Sequence, residues 1–156
     1  MERGKLWRNS YGNNLRLLEM NSVGLSPDLA AQRPAEGVSS AAWLLGHVIS
    51  ARRGVVKLLG GSLPEDPAWA EHYSRGGSGA TAHLAWPDLV LALQSVDQQL
   101  KEAFMSETDW DRPTRNPGLG IEQPLEQVVA FMFMHECYHM GQIGIIRKLL
   151  GLPGAI

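Results

Sequence analysis

The chain has one cysteine, Cys137, in 156 residues, so no disulfide can close within it and a small oxidised scaffold is excluded. Long apolar runs are missing too. The longest, Val128 to Met134, is far short of the roughly 20 residues that cross a bilayer. Charge is sparse and balanced: charged residues make up 19 %, and Lys+Arg 14 against Asp+Glu 16 leaves a formal net charge of −2. That excludes a chain kept open by self-repulsion, and it carries no electrostatic footprint for nucleic acid. The amino-terminal Met1-Glu2-Arg3-Gly4-Lys5 does not lead into a continuous apolar segment of the signal-peptide kind. The expectation is a soluble cytoplasmic protein, one domain over residues 1–156, with neither membrane nor nucleic acid as partner.

What is present is apolar residues at a helical period, with no stretch of strict two-residue alternation to compete. Trp7, Tyr11, Leu15 and Leu18 define a first helix over about Lys5 to Ser22. Ser39 is an acceptable N-cap for a second, in which Leu44, Val48, Ala51, Val55 and Leu58 form one stripe before Gly60-Gly61 ends it. A third begins at Pro87 and runs through Leu89, Leu93, Val96, Leu100 and Phe104. The fourth, opened by Pro124, reaches Leu150 and stops at Gly151. Residues 23–38 and 106–123 read as moderate loops. The link 61–86, with Arg75-Gly76-Gly77-Ser78-Gly79, shows no pattern of its own and is long enough to run back along a whole helix. Helices two and three can then lie parallel, giving an all-α, up-down-down-up four-helix bundle.

Of the five histidines, His72 and His83 lie in the polar link and read as solvated surface residues. His47, His135 and His139 fall within or beside the apolar stripes of their helices. At about 100° per residue, Val128, Met132, His135, His139, Ile143 and Ile146 share a wedge of about 80°. Three imidazoles therefore point at one core. Burying them without a shared partner costs a few kcal/mol each, about what a divalent cation removes by accepting three lone pairs. The i, i+4 pair His135 and His139 is the usual way one helix supplies two ligands. His135-Glu136-Cys137-Tyr138-His139 also matches the H-E-x-x-H pattern of zinc peptidases, whose third ligand follows the second histidine. Here Met140 to Ile156 contains no His, Asp, Glu or Cys, so the third ligand comes from upstream, with His47 the candidate.

The segment from His135 through Met140-Gly141-Gln142-Ile143 to Leu150-Gly151-Leu152-Pro153 resembles the last helix of the DinB/YfiT-like metalloenzymes. The stretch from Arg33-Pro34 through Ser39-Ser40-Ala41-Ala42-Trp43-Leu44-Leu45-Gly46-His47 resembles that family's second helix. The resemblance implies an up-down-down-up bundle, often dimeric, with a divalent metal on three histidines, which map onto His47, His135 and His139. It also implies activities that use a low-molecular-weight thiol such as bacillithiol, mycothiol or glutathione, beside relatives described as hydrolases.

Three neutral imidazoles leave a metal its full charge and an open position, so a water or a thiol bound there can be activated towards a small-molecule substrate. Zinc suits the ligands best, with nickel and iron as alternatives. Glu136 points to the apolar side of its helix, either as a catalytic general base beside the metal or as an ion-pair partner of Arg52 or Arg16. Cys137 points away from the metal and reads as packing, whereas Gln142 is placed to orient a ligand histidine and Gly141 to admit another helix. The fourth helix is also apolar on its back, at Phe131, Phe133, Met134 and Ile145. Either a second subunit or the loop 106–123 with Trp110 is expected to cover that face.

Overall fold

Helix punctuation in the chain sets the architecture. A computed structural model describes residues 2–64, 66–74 and 83–155, with long helices α1 (Glu2–Ser22), α3 (Ala41–Leu58), α5 (Trp86–Ser106) and α6 (Leu125–Leu149). Between them lie the short helices α2 (Pro27–Ala31) and α4 (Pro67–Tyr73) and an antiparallel ribbon of β1 (Pro113–Arg115) and β2 (Glu122–Pro124). α3 and α6 both end in glycine with a left-handed backbone, Gly60 at φ 79° and Gly151 at φ 83°. In each case the next residue reaches back five positions, Gly61 N–H to Val56 O at 2.9 Å and Leu152 N–H to Arg147 O at 2.9 Å, which satisfies carbonyls the helix leaves open.

Three expectations are corrected. The cap of α3 is Ser40 and not Ser39, because it is the Ser40 hydroxyl that lies three residues before the amide it accepts from, Trp43 N, at 3.1 Å. The link 61–86 is not patternless: Asp66 caps α4 and Pro67 opens it, a seven-residue helix too short for periodicity to reveal. The loop 106–123 contains β1 and the start of β2. Arg75-Gly76-Gly77-Ser78-Gly79 lies outside the described residues.

α1 packs on α5 and α6, and α3 packs on the same two, so α1 and α3 are diagonal, as are α5 and α6. Residue pairs give the directions. Tyr11, Asn14 and Asn21 of α1 meet Phe133, Cys137 and Arg147 of α6 in rising order, so these two helices are parallel. Arg52 and His47 of α3 meet Glu136 and His139 of α6, which makes that pair antiparallel. Asp97 faces Arg52, while Gly61 just beyond α3 approaches Ala103, so α3 and α5 are parallel. The chain is thus an up-down-down-up four-helix bundle. Among the described residues, no helix is long and apolar enough to cross a membrane.

The back of α6 is covered in part from within the chain. Phe133 packs against Trp7 and Tyr11 with ring centroids at 6.0 and 5.4 Å, and the ribbon's turn brings Gly118 so close to Phe131 that a Cβ there would sit 2.4 Å from its ring. Trp110 is buried too, stacked on Phe104 at 6.3 Å. Met134, Tyr138, Ile145 and Leu149 stay 59–64 % exposed.

Arg52, 0 % exposed, ties the four long helices together. It leaves α3 to donate to Glu136 of α6 (Nε–Oε2 2.9 Å, Nη2–Oε1 2.7 Å), Asp97 of α5 (2.7 Å) and the Tyr11 carbonyl of α1 (3.0 Å). Burial opposes its charge, but Glu136 and Asp97 outweigh that and raise its pKa. Lys101 adds a second cation on Asp97 at 2.6 Å. Arg52→Met is therefore expected to strand the buried Glu136 carboxylate, leave Asp97 to Lys101 alone and cost roughly 3–5 kcal/mol, measured as a lowered urea midpoint at unchanged slope.

Candidate metal centre

The Ser40 cap starts α3 so that Trp43 and His47 sit one turn apart on the side facing α6. From α6, His135 and His139 project from successive turns of one face. His135 Nε2 lies 3.2 Å from His47 Nε2 and 3.0 Å from His139 Nε2, and one ligand atom from each of the three lies within 4.8 Å of the others. All three rings are half-buried.

The second nitrogens fix what the converging ones carry. His47 Nδ1 lies 2.5 Å from the Tyr73 carbonyl, which only accepts, so Nδ1 holds the hydrogen and Nε2 a lone pair. Gln142 Nε2 donates to the Tyr138 hydroxyl at 3.2 Å, which turns its Oε1 onto His139 Nδ1 at 2.6 Å. His139 Nε2 is then a lone pair as well. Two lone pairs thus aim at His135 Nε2, and a single N–H there can satisfy only one. A cation satisfies all of them. With metal–nitrogen bonds of about 2.0–2.1 Å, ligand nitrogens on one ion lie roughly 3 Å apart, as His135 Nε2 does from the other two here. The buried His135 Nδ1 has no partner among the described residues, which is consistent with a ring fixed by its other nitrogen. Burial, followed by the neighbouring His139 and His47, pushes His135 down to about 4, and burial pushes His139 below its ordinary value. Both shifts favour the neutral, lone-pair-bearing ring.

Of the two roles expected of Glu136, general base or ion-pair partner, the geometry shows the ion pair. Its side chain is 1 % exposed and both oxygens are held by Arg52, the ion-pair alternative, because position 136 is turned about 100° from His135 towards the bundle interior. Cys137 is exposed and lies beside Asn14, with Asn14 Nδ2 to Sγ at 3.4 Å. Among the described residues nothing approaches the Cβ position of Gly141 within 4 Å, so no helix among them packs on it. His72 is half-buried and His83 exposed; their rings stack at 4.5 Å, and neither joins the cluster. Two participants had no role assigned from the residues alone. One is Trp43, stacked on His47 at 5.2 Å and 8°, and the other is the Tyr73 carbonyl. A backbone acceptor has no sequence signal.

Fold and donor set define a helical bundle with a tri-histidine face able to hold a metal ion. The chain belongs to the DinB superfamily, whose model matches residues 15–143 and so spans all three histidines. Among solved structures it is similar to YfiT from Bacillus subtilis, described as a probable metal-dependent hydrolase with an unusual four-helix bundle topology. Identity is 15 % over 98 % of this chain and 90 % of that one, with a TM-score of 0.71. That likeness establishes the fold. No curated protein matches the chain.

Metal analysis of purified protein is expected to give about one divalent ion per chain, and His47→Ala, His135→Ala and His139→Ala each largely to abolish it. Full occupancy in His47→Ala would remove that residue from the site.

Proposed function

We propose that the protein is a divalent-metal-dependent enzyme, with His47, His135 and His139 as ligands of zinc, or of nickel or iron, and a low-molecular-weight thiol as nucleophile in an S-transfer to a small molecule. The convergence of three Nε2 atoms, two of them held as lone pairs by the partners of Nδ1, carries this reading. Such an ion would supply a Lewis acid with an exchangeable position, which acidifies a bound thiol or water. In the transfer the thiol gives its proton to solvent, its sulfur bonds to an electrophilic carbon of the substrate, and the displaced group leaves with the bonding electrons.

The occupation of Glu136 favours thiol over water as the nucleophile. Among the described residues the cluster contains no carboxylate, and a ligated thiol is deprotonated outright, whereas hydrolysis gains from a positioned general base. Hydrolysis remains the second reading, supported by the description of YfiT. A site that only stabilises the bundle is the third.

Cobalt-substituted protein separates the three. With its cosubstrate among bacillithiol, mycothiol, glutathione and cysteine it is expected to gain a sulfur-to-metal charge-transfer band. A hydrolase would show no such band but turnover dependent on water activated near neutral pH, and a closed structural site would show neither. Absence of a band with all four thiols would end the S-transfer reading. Because Arg52 holds Glu136, Glu136→Gln is expected to lower stability while leaving metal content near that of the wild type.

The protein is further proposed to act in the cytoplasm as a homodimer. Met134, Tyr138, Ile145 and Leu149 share a wedge of about 60° on one α6 face, an exposed apolar stripe that a second copy would bury. Sedimentation is expected to show a dimer at micromolar concentration and a monomer for Met134→Lys/Ile145→Lys; a wild-type monomer would overturn this assignment.

A further inference from the structure

We infer that Gly46 and Trp43 are positioning residues of the metal centre, acting by seating α4 on α3 so that the Tyr73 carbonyl holds His47 in the tautomer and orientation a metal requires. The inference rests on the metal reading above.

α4 is a seven-residue helix, and the carbonyls of its last turn have no partner within it. Two of them are taken by α3. Trp43 Nε1 donates to His72 O at 2.8 Å, and His47 Nδ1 donates to Tyr73 O at 2.5 Å. Consecutive carbonyls of α4 are thus met by side chains four residues apart on α3, the spacing that puts both on one face. The same two side chains stack on each other at 5.2 Å, so displacement of either moves the other.

Gly46 makes this docking possible. A Cβ there would lie 2.1 Å from Tyr73 Cε1 and 2.4 Å from Cδ1, distances no pair of carbons tolerates, so the fully buried Tyr73 ring lies against bare α3 backbone. Its hydroxyl accepts from Leu84 N–H at 3.0 Å, which pins the far end of the ring. Glycine inside a helix is unfavourable by propensity, and on α3 the comparison is internal: Gly54 has nothing within 4 Å of its Cβ position, whereas Gly46 is filled by Tyr73. The chemical result is a His47 whose Nδ1–H is engaged by a carbonyl, which fixes the ring and makes Nε2 the more basic donor.

The test measures two properties on the same proteins: zinc affinity by chelator competition, and the His47 tautomer of the metal-free protein by long-range proton–nitrogen NMR. Wild type is expected to show the Nδ1–H tautomer. Gly46→Ala should weaken zinc binding roughly 10–100-fold and lose the single tautomer, while Gly54→Ala should match wild type in both. Trp43→Phe keeps the stack and removes only the donor to His72 O. It should weaken binding in the same direction, and it provides the result if Gly46→Ala does not fold. Wild-type affinity in Gly46→Ala or, failing that variant, in Trp43→Phe would overturn the inference, as would an Nε2–H tautomer in the wild type. If the wild type binds no zinc, the metal reading fails by itself, and the tautomers of the metal-free proteins still decide whether α4 positions His47.

Discussion

Arg52 is a cation with no route to water, and its partners come from each of the other three long helices. A guanidinium in that position is tolerable only if its forked donors are met by correctly placed acceptors. Apolar packing alone allows a helix to slide or roll at modest cost, because one Leu can replace another against a neighbour. The Arg52 contacts do not permit this. A slide of α6 by one residue carries the Glu136 carboxylate away from the guanidinium and leaves a buried charge uncompensated.

That restriction places the histidines. His47 is five residues before Arg52, about 7.5 Å along the axis, and α6 runs the other way. When Arg52 meets Glu136, His47 is brought level with the turn that carries His135 and His139. The ion pair and the cluster are therefore consecutive layers of one α3–α6 interface, the first closed to solvent and the second half-open. An error in the first layer propagates to the second, where ligand nitrogens stand 3.0 to 3.2 Å apart. The α6 face with the apolar stripe is turned about 90° from this interface, but Tyr138 joins the two, because its hydroxyl accepts from Gln142, which in turn holds His139.

The sequence was legible where a signal repeats. Four long helices follow from stripes at 3.6-residue spacing and from Gly60 and Gly151, and the histidine cluster follows from His135 and His139 one turn apart with His47 the remaining inward histidine. Single events were harder to read. Asp66-Pro67 is a legitimate helix start, but seven residues give no period to confirm it. Ser39 and Ser40 are equally good caps by type, and only the bond to the Trp43 amide separates them. Periodicity turned Glu136 inward, yet it cannot choose between a metal and an arginine as its partner. That choice depends on the height of α3 against α6, a tertiary quantity. Tyr73 acts on His47 through a carbonyl that any residue would possess, and the information about it is displaced onto Gly46, where the missing side chain is the signal.

The charges of the closed layer balance among themselves. Arg52, Asp97 and Glu136 together carry one excess negative charge, and the Lys101 ammonium that balances it approaches Asp97 from α5. Glu136, the negative group at the other end, belongs to α6 and is covalently next to His135. The row Lys101, Asp97, Arg52, Glu136 therefore alternates in sign from α5 to α6 and is neutral as a whole. Three neutral imidazoles contribute no charge to offset a divalent ion, so such an ion would keep its full double charge in a half-buried position where water screens poorly. Glu136 is committed to that neutral row, so position 136 bears on the histidines through the register it fixes between α3 and α6, and among the described residues no carboxylate joins the cluster.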